Sequence, residues 1–281
     1  MSITSYEMQG LTWQAKKHNQ QDAILINNKV IQHKGLISKH HVFSRNEAWC
    51  VAVADGVSSS RYSDKAAIQV LQTIGQHFSQ HTTDILFADI QNNLCQTLAG
   101  SLVIDSHHSA EQDNNQKVKA THGASTTMTL LRYSSTDTQD QVSIQSLGDS
   151  RAYAYCRQQQ QWTALTRDDN FYEELLAANQ IQYCDHEIAS SYFVLMEYFC
   201  ADWLHNVPEK PVIHHQLETN DAVLVCTDGV FDALAGEQWP PVLPDHSIKE
   251  WLNELLEKIR HSPTCGDNVS IVLVRALSSS T

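Results

Sequence analysis

Residues 141 to 156 read QVSIQSLGDSRAYAYC, two short runs of β-forming residues on either side of Gly148-Asp149-Ser150. Glycine and aspartate are typical turn residues, so this stretch predicts a β-hairpin. Similar runs lie directly before and after it, at 125–133 and 161–165. Four strand signals in close succession predict an antiparallel meander.

Further strands and helices surround this meander. Apolar residues recur at helical spacing in 65–78 and 84–104, which predicts a helix pair. Further helices are predicted at 169–178, 188–204 and 248–259, and further strands at 22–27, 47–54, 221–226 and 269–274. Because strands and helices do not alternate as βαβ units, the order predicts an α+β fold built on antiparallel sheets.

Length and composition are those of an ordinary globular protein. The chain has 281 residues, of which 42% are hydrophobic and 18% are charged. No internal repeat or linker is evident, so we expect a single domain over 1–281, with a polar tail at 277–281. No run approaches about 20 apolar residues, and the start lacks a basic segment followed by an apolar core. We therefore expect a protein that is neither exported nor membrane-spanning.

Charge and cysteine usage narrow the possible partners and compartment. The formal net charge is −13, which would repel a nucleic-acid backbone, so nucleic acid is not an expected partner. The seven cysteines are odd in number, scattered and mostly set in apolar runs. They predict free thiols in a reducing compartment rather than disulfides or a zinc site.

Four short segments place an aspartate beside a predicted strand, followed by glycine or a small polar residue. They are Asp55-Gly56, Asp149-Ser150, Asp228-Gly229 and Asp267-Asn268. Mg²⁺ and Mn²⁺ prefer carboxylate, carbonyl and water oxygens as ligands. Several such strand ends, if they converge, would hold two ions roughly 3.5–4 Å apart, with a bridging hydroxide that attacks a phosphoryl group. A single Asp-Gly pair is more often a plain turn, so the combination and order of the segments carry this interpretation.

In that order the sequence resembles the type 2C (PPM) metal-dependent serine/threonine protein phosphatases, and in its serine-rich loop the bacterial members. The resemblance covers about residues 10 to 275. Its motifs are Asn19-Gln-Gln-Asp22-Ala, Val51-Ala-Val-Ala-Asp55-Gly56-Val, Gly123-Ala-Ser-Thr-Thr127, Leu147-Gly-Asp149-Ser-Arg151-Ala-Tyr, Leu165-Thr-Arg-Asp168, Val225-Cys-Thr-Asp228-Gly-Val-Phe-Asp232 and Asp267-Asn268-Val-Ser-Ile-Val.

The resemblance implies two packed antiparallel β-sheets flanked by helix pairs, an αββα sandwich with the metal site at one end. It implies two Mn²⁺ or Mg²⁺ ions, bridged by Asp55 and completed by the Gly56 carbonyl, Asp228 and Asp267. Asp55, Asp228 and Asp267 are the expected catalytic ligands, and Asp22 matches the amino-terminal acidic position. Asp149 matches the ligand of a third ion in some bacterial members, although an aspartate in this turn could equally cap its own turn.

The phosphate-binding groups are where this sequence departs from the family. Lys17 stands where the family has a phosphate-binding arginine, and Lys17 could still bind phosphate as a point charge or be a solvated lysine. The loop 57–61 reads VSSSR and has no histidine that could act as general acid. Arg61 could contact phosphate near the site, or it could cap the following helix.

The resulting hypothesis is a protein serine/threonine phosphatase that uses a metal-bridged hydroxide. Two alternatives remain open at this point: a phosphatase-like domain that binds phosphoprotein with little turnover, and a phosphatase of small phosphoesters. The resemblance further implies a bacterial signalling enzyme. We also expect a monomer in the cytoplasm, with no membrane or nucleic-acid partner. Its substrates would be phosphoproteins made by a cognate serine/threonine kinase, and the segment 170–205 would form the variable flap beside the site.

Overall fold

The computed structural model describes residues 2–80, 83–109, 123–135, 140–182, 188–202 and 207–278. Its strands are β1 (Ile3–Trp13), β2 (Ala23–Ile26), β3 (Lys29–Ile31), β4 (Ile37–Ser44), β5 (Trp49–Ala54), β6 (Ser125–Thr126), β7 (Met128–Tyr133), β8 (Gln141–Leu147), β9 (Arg151–Cys156), β10 (Gln161–Ala164), β11 (Phe199–Cys200), β12 (Ile213–Gln216), β13 (Ala222–Cys226) and β14 (Val269–Ser278). Its α-helices are α1 (Ser63–Gln80), α2 (Phe87–Ser109), α3 (Phe171–Ala177), α4 (Asp228–Phe231) and α5 (Ile248–His261).

The strands form two six-stranded antiparallel sheets. The first has the order β10-β9-β13-β14-β1-β4, and the second has the order β12-β8-β7-β5-β2-β3. The pair β6 and β11 forms a small third sheet. The hairpin predicted over 141–156 is wrong, although both of its strands are present as β8 and β9. β8 pairs with β7 and β12, whereas β9 pairs with β10 and β13 in the other sheet, so the turn between them crosses from one sheet to the other and interrupts the predicted meander.

The two large sheets pack face to face, and helices cover their outer faces. An apolar core fills the space between the sheets, where Tyr6, Trp49 and Tyr133 form an aromatic cluster with ring centroids 4.6–5.6 Å apart. The helices α1 and α2 pack on the outer face of the second sheet. The helix α5, with the single-turn α4, covers the first sheet. The predicted α+β sandwich is confirmed.

The helices follow from their patterns of apolar residues and their caps. The buried side of α1 is built from alanine and branched aliphatic residues at helical spacing, as predicted. In α5, Ser247 caps the first turn and Glu250 reciprocates, forming a capping box. Its last turn carries Lys258, Arg260 and His261, which favour the negative end of the helix dipole.

The helix predicted over 188–204 is wrong for the residues described. The chain there forms one 3-10 turn at Ser190–Phe193 and the strand β11, which pairs with β6. Phe199 is buried against Phe87 at a centroid distance of 5.7 Å. Pairing across the chain therefore overrides the helical spacing of these aromatic residues.

Four strands went unpredicted because their sequences lack a clear alternation. They are β1, β3, β4 and β12, and of these β1 lies between β4 and β14 in the first sheet and pairs with both. The helix predicted over 84–104 is α2, which extends to Ser109, and residues 110–122 lie outside the described part of the chain. The strand β14 continues to Ser278, so the first two residues of the expected tail, 277 and 278, pair with β1.

Two further expectations concern cysteines and membrane spans. Six of the seven cysteines lie in the described residues, and all six are free thiols. None of the helices in the described ranges combines the length and apolar character needed to cross a lipid bilayer.

Truncating the α5 core contact should destabilise the sandwich. Leu255 is fully buried between α5 and the first sheet, whereas Asn253 on the same helix is exposed. We expect Leu255→Ala to lower the free energy of unfolding by about 2–5 kcal/mol in urea titrations, because it leaves a cavity. Asn253→Ala is the matched control and should change it by less than about 0.5 kcal/mol. Equal effects would contradict the assigned packing.

Candidate active site

Each of the five aspartates predicted from the sequence lies beside a strand end. Asp55 directly follows β5 and Asp22 directly precedes β2, which is its neighbour in the same sheet. Asp149 lies in the turn between β8 and β9, Asp228 opens α4 after β13, and Asp267 lies shortly before β14. Asp55 interacts with Asp22, Asp149 and Asp228, and Asp228 interacts with Asp267. The fold thus brings all five together where the two sheets end.

Crowding raises the pKa values of these carboxyl groups. The pKa of Asp55 lies well above its ordinary range, first through burial and then through the negative charges of Asp228, Asp22 and Asp149. Burial also raises the pKa of Asp228 to about 6, and the charge of Asp267 adds to this effect. Burial raises the pKa of Asp22 to about 7 against a hydrogen bond from Thr227. These groups therefore favour either a shared proton or a cation.

The oxygen atoms of this cluster suit a hard divalent cation. The Oδ1 atoms of Asp228 and Asp149 are buried without a hydrogen-bond partner. Every side chain of the cluster offers carboxylate oxygen, the ligand that Mg²⁺ and Mn²⁺ prefer. Within the described ranges, no three His, Cys, Asp or Glu side chains already form a cluster of metal-ligand geometry. The carboxyl group of Asp55 instead lies against those of Asp22 and Asp228, and an ion would offset the repulsion between them.

A buried hydroxyl network fixes the position of Asp55. Its carbonyl oxygen accepts hydrogen bonds from Thr126 Oγ1 at 2.7 Å and from the backbone N–H of Thr127 at 2.9 Å. The backbone N–H of Asp55 donates to Thr127 Oγ1 at 3.2 Å. Thr127 Oγ1 in turn lies 2.8 Å from Ser150 Oγ, in the turn that carries Asp149. The motif at 123–127 therefore ties two of the acidic strand ends together.

A second network joins the remaining aspartates. Thr227 donates from Oγ1 to Asp22 Oδ2 at 2.8 Å, and its Oγ1 accepts from the Ser270 backbone N–H at 3.1 Å. Asn268 accepts from the Gln21 backbone N–H at 2.8 Å and donates to two backbone carbonyls of the segment 14–19. These contacts set the amino-terminal segment against the turn that carries Asp267.

Two glycines allow the close approach of backbones at the site. A Cβ atom on Gly229 would lie 2.0 Å from the Asn268 carbonyl oxygen. A Cβ atom on Gly56 would lie 2.7–2.8 Å from atoms of Ser63 at the start of α1. Real Cβ contacts are not this short, so a side chain at either position would push the acidic strand ends apart.

Lys17 lies at the rim of the carboxylate cluster. Its Nζ atom is 2.9 Å from Asp267 Oδ2 and donates to Ser58 Oγ at 3.0 Å. Burial acts to lower the pKa of Lys17, but its bond to Asp267 and the charges of Asp55 and Asp228 outweigh this, so the pKa is raised. Lys17 is therefore a fixed positive charge beside the cluster.

Arg61 lies farther along the same side of the molecule. Its guanidinium group is 4.9 Å from the centroid of the Tyr62 ring. It lines a cleft together with Ser58, whose hydroxyl group is bonded to Lys17. The structure places Arg61 on the wall of this cleft, next to the start of α1.

The sequence interpretation gave no role to a partly buried ion pair beside Asp149. Arg151 binds Asp168 through two hydrogen bonds of 2.6 and 2.7 Å, and its guanidinium carbon lies 3.7 Å from the centroid of the Phe231 ring. The charge of Asp168 adds to the raised pKa of Asp149, after burial and Asp228. Both residues belong to the quoted motifs, but only their contact across 17 positions reveals the pairing.

The segment from 170 to 200 is anchored at its base to the turn that carries Asp149. Asp169 and Gly148 exchange two hydrogen bonds, each 2.9 Å long. Gly148 has a φ of +102°, which favours glycine. Lys210 binds the carboxylates of both Asp169 and Glu197, so it closes the two limbs of the segment.

The aromatic residues of this segment pack on one another. Phe171 and Tyr192 stack with centroids 5.9 Å apart, and Tyr172 and Phe193 lie 5.6 Å apart. The aromatic side chains of this segment therefore pack on one another, and Phe171 and Phe193 also contact solvent.

Comparison with models of protein families matches residues 37–264 to the family described as protein phosphatase 2C. Comparison with curated proteins gives no match. The match spans Asp55, Asp149 and Asp228 and stops three residues before Asp267.

Solved structures of bacterial serine/threonine phosphatases share this fold. The enzyme from S. agalactiae is 17% identical with a TM-score of 0.66, covering 97% of this chain and 100% of its own. The Mycobacterium tuberculosis phosphatase PstP/Ppp is 18% identical with a TM-score of 0.66, covering 98% of this chain and 100% of its own. A structure of the PstP catalytic domain in complex with two manganese ions has 18% identity, a TM-score of 0.60 and the same two coverages.

Adding a methyl group at Gly229 should disturb the site and the fold together. We expect Gly229→Ala to lower the free energy of unfolding by about 1–3 kcal/mol or more, because its Cβ would overlap the Asn268 carbonyl. Gly236→Ala is the matched control, since its Cβ would meet only a Tyr153 ring carbon at 3.7 Å. Thermal unfolding of both variants measures the effect, and a Gly229→Ala protein as stable as the control would contradict this geometry.

Divalent cations should raise the melting temperature through the aspartate cluster. At 100 times its dissociation constant a bound ion adds about 2.7 kcal/mol, so Mn²⁺ should raise Tm by roughly 5–10 °C at neutral pH. Asp228→Asn should lose most of this increase.

When a chelator removes divalent cations, the ranking of the two melting temperatures should reverse. At pH 8, above the raised pKa of about 6, ionised Asp228 is repelled by its neighbours, so Asp228→Asn should melt at a higher temperature than the unsubstituted protein. The repulsion fades as pH falls below 6, and with it the difference. An Mn²⁺ shift that is equal in both proteins would rule out this cluster as the ion site.

Proposed function

Since the chain belongs to the protein phosphatase 2C family and is a phosphoprotein phosphatase, we propose that it hydrolyses phosphoserine and phosphothreonine with two Mn²⁺ or Mg²⁺ ions. The observation that carries the proposal is the convergence of five aspartates from both sheets, with buried carboxylate oxygens left without partners. The family match, which ends before Asp267, supports the reaction class.

The residues that would hold the ions follow from their places in the cluster. Asp55 lies among Asp22, Asp149 and Asp228, so it is the residue best placed to contact two ions. Asp228 and Asp267 would complete one ion's ligands, and Gly56 would offer its carbonyl oxygen to the other. When bound, such ions supply an activated water as nucleophile and offset the negative charge of the phosphoryl oxygens.

Asp22 and Asp149 would take supporting places in the same site. Asp22 is buried and accepts a hydrogen bond from Thr227, so it would lie behind the ions, and their positive charge would favour its ionised form. Asp149 bonds to its own backbone amide, yet its Oδ1 atom is buried without a partner. The first contact fits a turn cap, and the second leaves an oxygen for a third ion.

The chain's own cations would bind and orient the phosphate. Lys17, fixed between Asp267 and Ser58, carries a positive charge to the rim where a phosphoryl group would enter. As a point charge it attracts phosphate without the two-pronged geometry of arginine. Arg61, on the wall of the adjoining cleft, would add a contact farther out.

The wider setting of this proposal follows the sequence expectations. We propose that the enzyme acts as a monomer in the bacterial cytoplasm, in one domain, on proteins phosphorylated by a cognate serine/threonine kinase.

Turnover measurements test the function and the site together. With Mn²⁺ we expect hydrolysis of p-nitrophenyl phosphate and of a phosphothreonine peptide, and none with chelator. Asp228→Asn should lower kcat by about a hundredfold or more, because ion ligands stabilise the transition state by several kcal/mol. Asp245→Asn, at an exposed position, is the matched control and should keep full activity.

Each contrary result has a distinct meaning. Absence of ion-dependent turnover would indicate that the protein is a phosphoprotein-binding domain and not an enzyme. Hydrolysis of small esters without peptide turnover would indicate a small-molecule phosphatase. Full activity of Asp228→Asn would leave the reaction class standing and refute the assigned ligands.

A further inference from the structure

A cleft of about 760 Å³ opens beside the carboxylate cluster, between residues 19–21, 32–34 and 58–64. We call it the side cleft. Its volume lies in the range of about 300–1,000 Å³ that ligand sites occupy. It lies beyond the ion ligands, on the side of the site where α1 begins.

Hydrogen bonds connect residues that line the side cleft to residues at the rim of the carboxylate cluster. Lys17 Nζ donates to Ser58 Oγ at 3.0 Å, and Ser58 Oγ lies 3.5 Å from Gln21 Oε1. The Gln21 backbone N–H donates to Asn268 Oδ1 at 2.8 Å, next to Asp267. A chain that places its phosphoryl group beside Lys17 therefore meets the side cleft with its neighbouring residues.

The walls of the side cleft are polar and carry positive charge. Lys34 and Arg61 line it, and Lys65 lies close by with its Nζ atom 4.2 Å from the centroid of the Tyr62 ring. Asp64 is the acidic residue among those lining the side cleft. A local excess of positive charge stands out on a chain with a net charge of −13, beside a cluster of carboxylates.

The arginine wall of the side cleft rests on a constrained backbone. Tyr62 has a φ of +59°, which is uncommon for a residue with a side chain. Its carbonyl oxygen accepts from the backbone N–H groups of Lys65 and Ala66, each at 3.0 Å. The Tyr62 ring then carries Arg61 and Lys65 on its surface. The first turn of α1 thus fixes where these cations are presented.

We propose that the side cleft binds the substrate segment next to the phosphorylated residue and selects segments with an acidic side chain there. This inference rests on the proposed function. A carboxylate seated near Lys34 and Arg61 would gain their attraction. A lysine at the same substrate position would meet repulsion.

A set of phosphothreonine peptides tests this selection. Each peptide carries one glutamate at a position from four residues before to four residues after the phosphothreonine, and its partner peptide carries glutamine there. We expect kcat/KM to favour glutamate by about two- to fivefold at one or more positions, the effect of an exposed charge pair. The preference should shrink at about 0.5 M salt, because salt screens exposed charges.

Charge reversal assigns the preference to the side cleft. In Lys34→Glu the preference for glutamate should fall to one or reverse. Lys249→Glu makes the same charge change at an exposed position of α5 and should keep the full preference. Arg61→Gln provides a second variant, in which the preference should also fall.

The possible results of the peptide experiment distinguish failure of this inference from failure of the proposed function. If the unsubstituted protein hydrolyses p-nitrophenyl phosphate and the peptides but no glutamate position is favoured, the inference is refuted and the function stands. Retention of the preference in Lys34→Glu would also refute it. If no substrate is hydrolysed, the proposed function fails and the inference fails with it.

Discussion

Electrostatic repulsion among carboxyl groups at one end of the sandwich is the constraint on which the rest of the site depends. The carboxyl groups of Asp55, Asp228 and Asp22 interact with one another, so burial and like charge raise their pKa values together. Separate strands from both sheets supply these residues. The core between the sheets must therefore hold in place a group of charges that would otherwise move apart.

The structure meets this demand with buried hydroxyl and amide groups. Thr127, Thr227 and Asn268 bond backbone and side chains of the acidic strand ends directly, and each is almost fully buried. Such groups fix a geometry without adding charge, and their hydrogen bonds are costly to leave unmade in the interior. Repulsion between the carboxyl groups lowers the free energy of unfolding, and a bound cation would raise it again. This coupling is common where a fold is built around a functional site.

Positively charged side chains surround this cluster of carboxyl groups. Lys17 stands at its rim, Arg151 pairs with Asp168 beside Asp149, and Lys210 closes the base of the segment 170–200. Farther out, Lys34 and Arg61 add positive charge along the side cleft. An anionic substrate that entered along the side cleft would therefore pass Arg61 and Lys17 before it reached the aspartates.

The sequence by itself determined the fold class, the α1–α2 pair, the strands that carry motifs and the identity of the five aspartates. These features rest on local patterns, since periodicity and turn residues act over a few positions. It missed β1 and β4 and gave a helix over 188–204, because those segments are decided by the strands they pair with. Only the tertiary structure decided that Lys17 contacts Asp267 across 250 positions, that Thr227 holds Asp22, and that a cationic cleft adjoins the site. Contacts between residues so distant along the chain depend on how the sheets stack, and no local pattern encodes that.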